Sequence, residues 1–384
     1  MNFDLSDEQA LLRDTVQRWA ATIYPGLEQL EAARRAPLGF MENRWAELAE
    51  LGLLGLPFAE EDGGFGGGPV ELLVVAEALG RALAPEPYLA SIVLGGGALR
   101  LAGSQAQKDA LLPGVIDGSV RLAFAHGEAQ ARYDLNDVAT TARAVEGGYR
   151  LDGRKSVVLN ADAAQTIVVS ARTAGGRRDE AGITLFLVPA DAPGVTLTPY
   201  PTHDGGRAAD VVLADVFVPT DAVLGPQDAT LPIIERIIDG GIVALCAEAV
   251  GLMEALHELT IEYLKTRKQF GVSIGSFQAL QHKAVDMLVA LEQARSMALY
   301  AAMMVDAEDA EERRVALSAA KAQINRSARF VGQTAVQLHG GIGMTMEYLG
   351  AHHFRRLAAI ELTFGDTPFH TRRVASEKGL VGAD

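Results

Sequence analysis

The residues best placed to do chemistry lie between Tyr263 and Gln281, in YLKTRKQFGVSIGSFQALQ. Tyr263, Arg267 and Phe270 are spaced four and then three apart, so a helix would put them on one face. Gly271 follows where a left-handed helix cap is expected. Ser276 is placed to cap the next helix, whose apolar stripe is Leu280, Ala284, Met287 and Leu291. A guanidinium, an aromatic ring and an amide, from Gln278 or Gln281, therefore meet at one turn. That set suits a planar, phosphorylated ligand: the cation for a pyrophosphate, the ring for a flat ring, the amide for ring edges. For this stretch alone, an arginine solvated at a helix end is the alternative. A second stretch, QLHGGIGMTMEY from Gln337 to Tyr348, carries Gly340, Gly341 and Gly343 within four positions. Such glycines let a backbone approach a ligand and leave N–H groups open to it.

The elements that must position these groups fall into three regions. Residues 1–118 read as an N-terminal helical domain. Ser6 and Gln9 form a capping box, and Leu12, Val16, Trp19 and Ile23 make a helical stripe that Pro25 stops. A helix over Met41–Leu51 and another over Glu71–Leu83 follow, separated by the glycine-rich loop Gly63–Gly68. That loop is no nucleotide fingerprint, because no strand precedes it and no ribose-binding acid follows at the right distance. Residues 119–230 read as a middle antiparallel β-domain, a barrel or sandwich of short strands. The expected strands are Val120–Ala125, Ala139–Val145, Tyr149–Leu151, Ser156–Leu159, Thr166–Ala171, Ile183–Pro189, Val195–Tyr200 and Ala209–Phe217. Residues 231–384 return to helix, as a C-terminal bundle. Ala307–Arg314 is a charged link or helix end, Arg355, Arg356 and Ile360 sit on the last helix, and Ser376–Asp384 forms a weakly ordered tail.

Composition narrows the function classes. The 384 residues are 49% hydrophobic and 22% charged, with a net charge of −15 and a sequence pI of about 5.0. That balance argues against nucleic acid and anionic membrane surfaces as partners, while a few local arginines suffice for a small anionic ligand. The single cysteine, Cys246, excludes a disulfide framework and a cysteine metal site, and its Ala/Leu-rich surroundings suggest a buried, inert thiol. No metal site is expected. No signal peptide and no bilayer-spanning run are visible, so the expected setting is cytoplasmic.

The pair RKQFG and QLHGGIGMTMEY, with ELGLLGLPFAEEDGGFGGGPVELLVVAEALGRAL near the start, resembles the acyl-CoA dehydrogenase family over nearly the whole chain. The resemblance implies an α+β multidomain fold: a helical domain, a β-domain and a C-terminal four-helix bundle. It also implies FAD as cofactor, an acyl-CoA substrate, an electron-transfer flavoprotein as acceptor and a tetramer. In that family a carboxylate takes the α-proton of the thioester while the flavin takes a hydride from Cβ. The FAD groups carried over to this chain are Arg267, Phe270, Gln278, Gln337, Gly340 and Gly341.

The family's base, the Glu of a Tyr-Glu-Gly-Thr motif, falls on Phe364 in Leu362-Thr-Phe-Gly-Asp-Thr367, and the second family position for a base falls on Gly241. Neither residue can accept a proton. Asp366 is either a displaced catalytic base or a helix cap, and Glu248 either a paired acid or one of raised pKa. The family's flavin-holding stretch reads His126-Gly-Glu-Ala-Gln-Ala-Arg-Tyr-Asp134 here, with Gly127 and Tyr133 for Thr and Ser. Its Trp-Ile-Thr reads Val157-Val-Leu159. In the family the altered groups hold a subunit's own FAD, and the retained ones reach a neighbour's. The resemblance therefore extends to the small, catalytically incomplete subunit of two-gene enzymes, paired with a larger paralogous subunit. A complete dehydrogenase using Asp366, a non-enzymatic structural partner and a flavin oxidase remain as alternatives.

Overall fold

The computed structural model describes residues 5–378. Its first region is helical: α1 (Asp7–Ile23), α2 (Leu27–Arg34), α3 (Glu42–Glu50), α4 (Pro69–Arg81), α5 (Gly97–Ala102) and α6 (Gln105–Ile116). The expected capping box opens α1: the Ser6 side chain accepts from the Gln9 amide, and the Gln9 side chain accepts from Ser6. Between α4 and α5 runs a π-helical segment, Tyr88–Gly96, buried along almost its whole length. Sequence periodicity does not reveal it, because π geometry breaks the 3.6-residue pattern.

The middle of the chain is one eight-stranded sheet with spatial order β6-β7-β3-β2-β4-β5-β8, and β1 beside β4. The strands are β1 (Leu122–Ala125), β2 (Thr141–Val145), β3 (Gly148–Leu159), β4 (Thr166–Arg172), β5 (Ile183–Pro189), β6 (Val195–Pro201), β7 (Arg207–Pro219) and β8 (Val223–Leu224). The expectation of purely antiparallel pairing needs correction, since β1 and β4 run parallel from Leu122 opposite Thr166 onward, and β2 touches β4 in parallel at Thr141 and Arg172. Tyr149–Leu151 and Ser156–Leu159 are one strand, β3, interrupted by register shifts against β7. The second shift lies between Lys155 and Val158 and holds Val157 at φ +55, an outlier for a β-branched residue.

The last region contains the 36-residue α7 (Leu231–Thr266), α8 (Gln278–Met304), α9 (Ala310–His339), α10 (Leu349–Leu362) and α11 (Thr367–Glu377). A small hairpin, β9 (Lys268–Gln269) and β10 (Val272–Ser273), joins α7 to α8. On α8, Ala284, Met287 and Leu291 are buried, as their spacing predicts. Arg355, Arg356 and Ile360 lie on α10, which is not the last helix: Asp366 starts α11 beyond it. Of the expected tail, Ser376 and Glu377 end α11, and residues 379–384 lie outside the described residues. The α7 core residues pack with the π segment and the sheet in one apolar cluster, so the three regions share a core. Cys246 is buried within it, its thiol pushed up to about 12 by desolvation.

Candidate functional site

The Arg267 stretch is not a helix face. α7 stops at Thr266, and Arg267 is extended, with φ −69° and ψ 127°. Gln269 pairs with Val272, which leaves Phe270 and Gly271 as a two-residue turn. Both carry positive φ, +53° and +81°, as a primed hairpin turn requires. Gly271 is therefore a turn residue and not a helix cap. Nor does Ser276 cap α8: its hydroxyl donates to the Ser273 carbonyl at 2.7 Å, and α8 begins with no side-chain cap. The amides of the first turn of α8 stay open, an arrangement that favours a nearby anion. Gln281 donates to the Gly275 carbonyl at 2.8 Å, while Gln278 is exposed at the helix start.

Two aromatic contacts bring the distant motifs together. The Tyr263 ring lies 4.6 Å from the His339 ring, which in turn lies 4.7 Å from Tyr348. His339 Nδ1 donates to the Ala335 carbonyl at 2.8 Å, and Nε2 accepts from the Tyr348 hydroxyl at 2.7 Å. The end of α9 is thus fixed beside the end of α7. Arg267, Phe270, Gln278, Gln337, Gly340 and Gly341 are all exposed. Arg267 has no ion-pair partner among the described residues, and Phe270 and Met344 are 90% and 77% exposed. A Cβ added at Gly340 or Gly341 would meet no atom within 4 Å. A cation, an amide, apolar surface and bare backbone therefore face outward together.

The groups that resemblance assigns to the chain's own flavin line a crevice of about 450 Å³ between the sheet and the C-terminal helices. Its walls include Gly127, Tyr133, Val157, Leu159, Ile242 and Phe364. The two family positions for a base meet here: a Cβ added at Gly241 would lie 2.8 Å from the Phe364 ring and 2.9 Å from Leu94. Where a carboxylate would be needed, a phenyl ring rests against a glycine. Phe364 takes φ +59°, and its carbonyl accepts from His370 Nε2 at 3.0 Å. His370 Nδ1 then accepts from the Ser318 hydroxyl at 3.1 Å, and burial pushes this imidazole down to about 3, so it stays neutral. Tyr133, standing where the family has serine, donates to the Leu362 carbonyl at 3.1 Å and packs on Phe369 at 5.1 Å.

The acids near the crevice are committed elsewhere. Asp366 Oδ1 accepts from the Phe369 amide at 2.8 Å as the cap of α11, and its other oxygen lies 3.9 Å from Arg132. Glu248 is gripped by Arg356, at 2.5 and 2.7 Å, and the same guanidinium holds Asp204 at 2.6 Å. Glu128 faces the crevice but accepts from Lys155 at 2.7 Å and from the Ala139 and Thr140 amides at 2.8 and 3.0 Å. Lys155 is fully buried and also reaches the Ser170 hydroxyl, beside His126. Despite its burial, Lys155 and these donors hold Glu128 down at about 2, too weak a base for an α-proton.

This pair predicts the acid limit of the fold. A carboxyl depressed in the folded state stabilises above its unfolded pKa, and that stabilisation is lost as pH falls through the folded value. Glu128 drops from 4.5 to about 2, and Asp204 from 3.8 to about 2. Urea unfolding should therefore show a decline from about pH 5 toward pH 2, on the order of 3 kcal/mol from Glu128 alone, added to the loss below about pH 6.5 that the buried, neutral His370 contributes. Glu128→Gln should flatten that limb.

The chain runs helices, mixed sheet, helices, with an outward cation–amide–glycine face at the end of the bundle, the three-part order of a flavin-dependent acyl-CoA dehydrogenase. Family models for the acyl-CoA dehydrogenase N-terminal, middle and C-terminal domains match residues 6–119, 123–216 and 231–378. The chain belongs to the acyl-CoA dehydrogenase family. It is 33% identical over 354 residues to the probable acyl-CoA dehydrogenase YngJ of Bacillus subtilis, covering 91% of this chain and 92% of that one. Among solved structures it is similar to the FAD complex of PigA, with a TM-score of 0.90 at 27% identity over 99% of this chain and 100% of that one. It is also similar to the ChsE4-ChsE5 complex from Mycobacterium tuberculosis, with a TM-score of 0.89 at 26% identity over the full length of both chains. FAD is the cofactor, and the chemistry of the outward groups is compatible with it, since the backbone at Gly340 and Gly341 is open and Arg267 and Gln337 are exposed. Among the described residues no helix is long and apolar enough to cross a membrane, and no cluster of His, Cys, Asp and Glu could hold a metal.

Proposed function

We propose that this chain serves the FAD-dependent α,β-dehydrogenation of an acyl-CoA thioester as one subunit of a hetero-oligomer, completing a flavin site held mainly by a larger paralogous subunit. The observation that carries this reading is the convergence of Phe364 and Gly241 on one spot, with no carboxylate there, while the outward groups are intact. Arg267 neutralises the cofactor's diphosphate, Phe270 covers a flat ring, and Gln278 and Gln337 bond polar edges. Gly340 and Gly341 let the backbone come close enough to donate. Bound FAD would supply the hydride acceptor, with an electron-transfer flavoprotein as the electron acceptor of the reaction. The reacting base belongs to the partner. The ChsE4-ChsE5 complex, a chain of which has this fold, is a precedent for such a chain in a complex.

The decisive measurement is flavin content. The protein purified alone should lack a flavin band, and co-expression with its paralogue should give one FAD per pair. A fully flavinated, active homo-oligomer overturns the proposal, and oxygen consumption without an added acceptor would point to an oxidase. The reading of Asp366 as a cap has its own test. Asparagine caps as well as aspartate, so Asp366→Asn should leave turnover of the assembled enzyme unchanged, while Asp366→Ala should cost about 1 kcal/mol of stability. Loss of turnover with flavin retained in Asp366→Asn would make Asp366 the base.

A further inference from the structure

The loop from Gly340 to Glu347, between α9 and α10, carries the glycines of the outward face, and all of it is exposed except Gly343. So exposed a segment gains little from burial, and its shape depends on how its ends are held. His339 and Tyr348 flank it. The Ala335 carbonyl can only accept, so His339 Nδ1 carries the proton, and Nε2 is left as the acceptor for the Tyr348 hydroxyl. Burial keeps both groups in the forms this bond needs. It lowers the imidazole below its ordinary value and pushes the phenol up to about 12, so Nε2 keeps its lone pair and Tyr348 its proton. The packing leaves no slack. A Cβ added at Gly343 would lie 2.9 Å from the His339 Cβ, so the loop folds back onto the helix turn that bears the imidazole. A Cβ added at Gly350 would lie 2.7 Å from the Tyr348 ring. The imidazole also rests against Tyr263, one helical turn before Arg267, which seats the closed loop on the end of α7 that bears the hairpin. A further tie holds Met346, whose carbonyl accepts from His352 Nε2 at 3.0 Å.

We propose that His339 is a positioning residue for the cofactor: by accepting from Tyr348 it closes the ends of the glycine loop and holds that loop ready for FAD. The inference rests on the FAD reading above and assigns to that site the buried group that shapes it. His339 is 4% exposed and acts without touching the nucleotide. A loop free to sample other shapes must be ordered when a ligand binds, and that ordering is subtracted from affinity. A loop whose ends are already bonded has given up that freedom on folding. The bond between residues 339 and 348 therefore contributes to FAD affinity from beneath the surface that FAD meets.

The test is FAD titration of the assembled enzyme after its flavin is stripped, with urea unfolding of the same variants. Tyr348→Phe keeps the ring and removes the donor, and should weaken FAD binding about threefold to tenfold, the range of one net hydrogen bond. His339→Asn keeps a donor for the Ala335 carbonyl, cannot reach Tyr348, and should cost about the same. Combining the two should cost no more than either alone, because both break one bond. His339→Gln brings a carbonyl oxygen to the place of Nε2 and should keep affinity within about twofold of the wild type. Additive losses in FAD affinity overturn the inference, as does a glutamine variant that binds as weakly as the asparagine one. So does a coupling seen in urea unfolding and not in FAD affinity, which would make the bond a structural one only. Arg267→Ala separates the two levels of the argument. If it weakens FAD binding while Tyr348→Phe and His339→Asn do not, the positioning role falls and the cofactor reading stands. If all three bind FAD as the wild type does, the cofactor reading falls, and this inference with it.

Discussion

Arg267→Ala should weaken FAD binding by the assembled hetero-oligomer on the order of tenfold to a hundredfold, with dehydrogenase activity falling at subsaturating FAD. A hydrogen bond to a charged group contributes about 1.5–3 kcal/mol, and the guanidinium is the one cation of the hairpin tip's outward face that the family resemblance puts on the diphosphate. Stability should hardly move. Arg267 is exposed, has no ion-pair partner among the described residues, and follows the end of α7, so its truncation should change unfolding free energy by no more than about 0.5 kcal/mol. That separation between cofactor affinity and stability is the diagnostic. Arg267→Lys should recover only part of the affinity, because an ammonium cannot present the planar fork. Fluorescence titration of the apo-complex with FAD measures it. FAD affinity unchanged in Arg267→Ala would mean that the hairpin does not meet the nucleotide, and the division of labour between subunits would have to be abandoned.

How much of this was legible in the sequence depends on what kind of signal each feature leaves. Helices with caps and apolar stripes, such as α1 with Ser6 and Gln9, announce themselves, because capping and packing are local. β5 was legible to the residue and β4 to within one, since turns bracket continuous apolar runs. The hairpin after α7 was hidden. Phe270 spaced three residues from Arg267 imitates a helix face, and Phe-Gly is not a usual primed-turn pair, so left-handed φ at a phenylalanine has no composition cue. The parallel pairing of β1 with β4 was equally invisible, because it joins strands more than forty residues apart.

The candidate site divides in the same way. Absence of a base could be read from Phe364 and Gly241 as two separate losses, but only the fold makes them one event, a ring packed against the glycine. Glu128 lies in the stretch that resembles the family's flavin-holding one. Its capture by Lys155 could not be foreseen, since nothing in the residues 128 to 155 sets which side of β3 the lysine faces once register shifts intervene. Glu86 carried no signal at all. Its surroundings come from Tyr24 and from a cavity lined by segments distant in sequence.

The largest loss of stability should come from Arg356→Ala. Arg356, on α10, binds Glu248 on α7 with two hydrogen bonds and Asp204, in the loop between β6 and β7, with a third. It therefore ties the C-terminal helices to the sheet along one wall of the cavity that Glu86 lines. Asp204 is 4% exposed, and the guanidinium is what keeps its carboxyl near 2 despite burial. Without it two carboxylates remain in a poorly solvated place with no counter-charge, a situation that costs about 3–5 kcal/mol. Urea titration at pH 7 should register that decrease. Arg356→Lys should lose most of the same amount, because one ammonium cannot serve two carboxylates on different elements. Much of the penalty belongs to the abandoned acids and not to the missing attraction, so neutralising them should help. Arg356→Met combined with Glu248→Gln and Asp204→Asn should recover about half of the lost free energy. It should also remove the Asp204 share of the acid dependence. If Arg356→Ala unfolds at the wild-type urea midpoint, water must reach Glu248 and Asp204 freely.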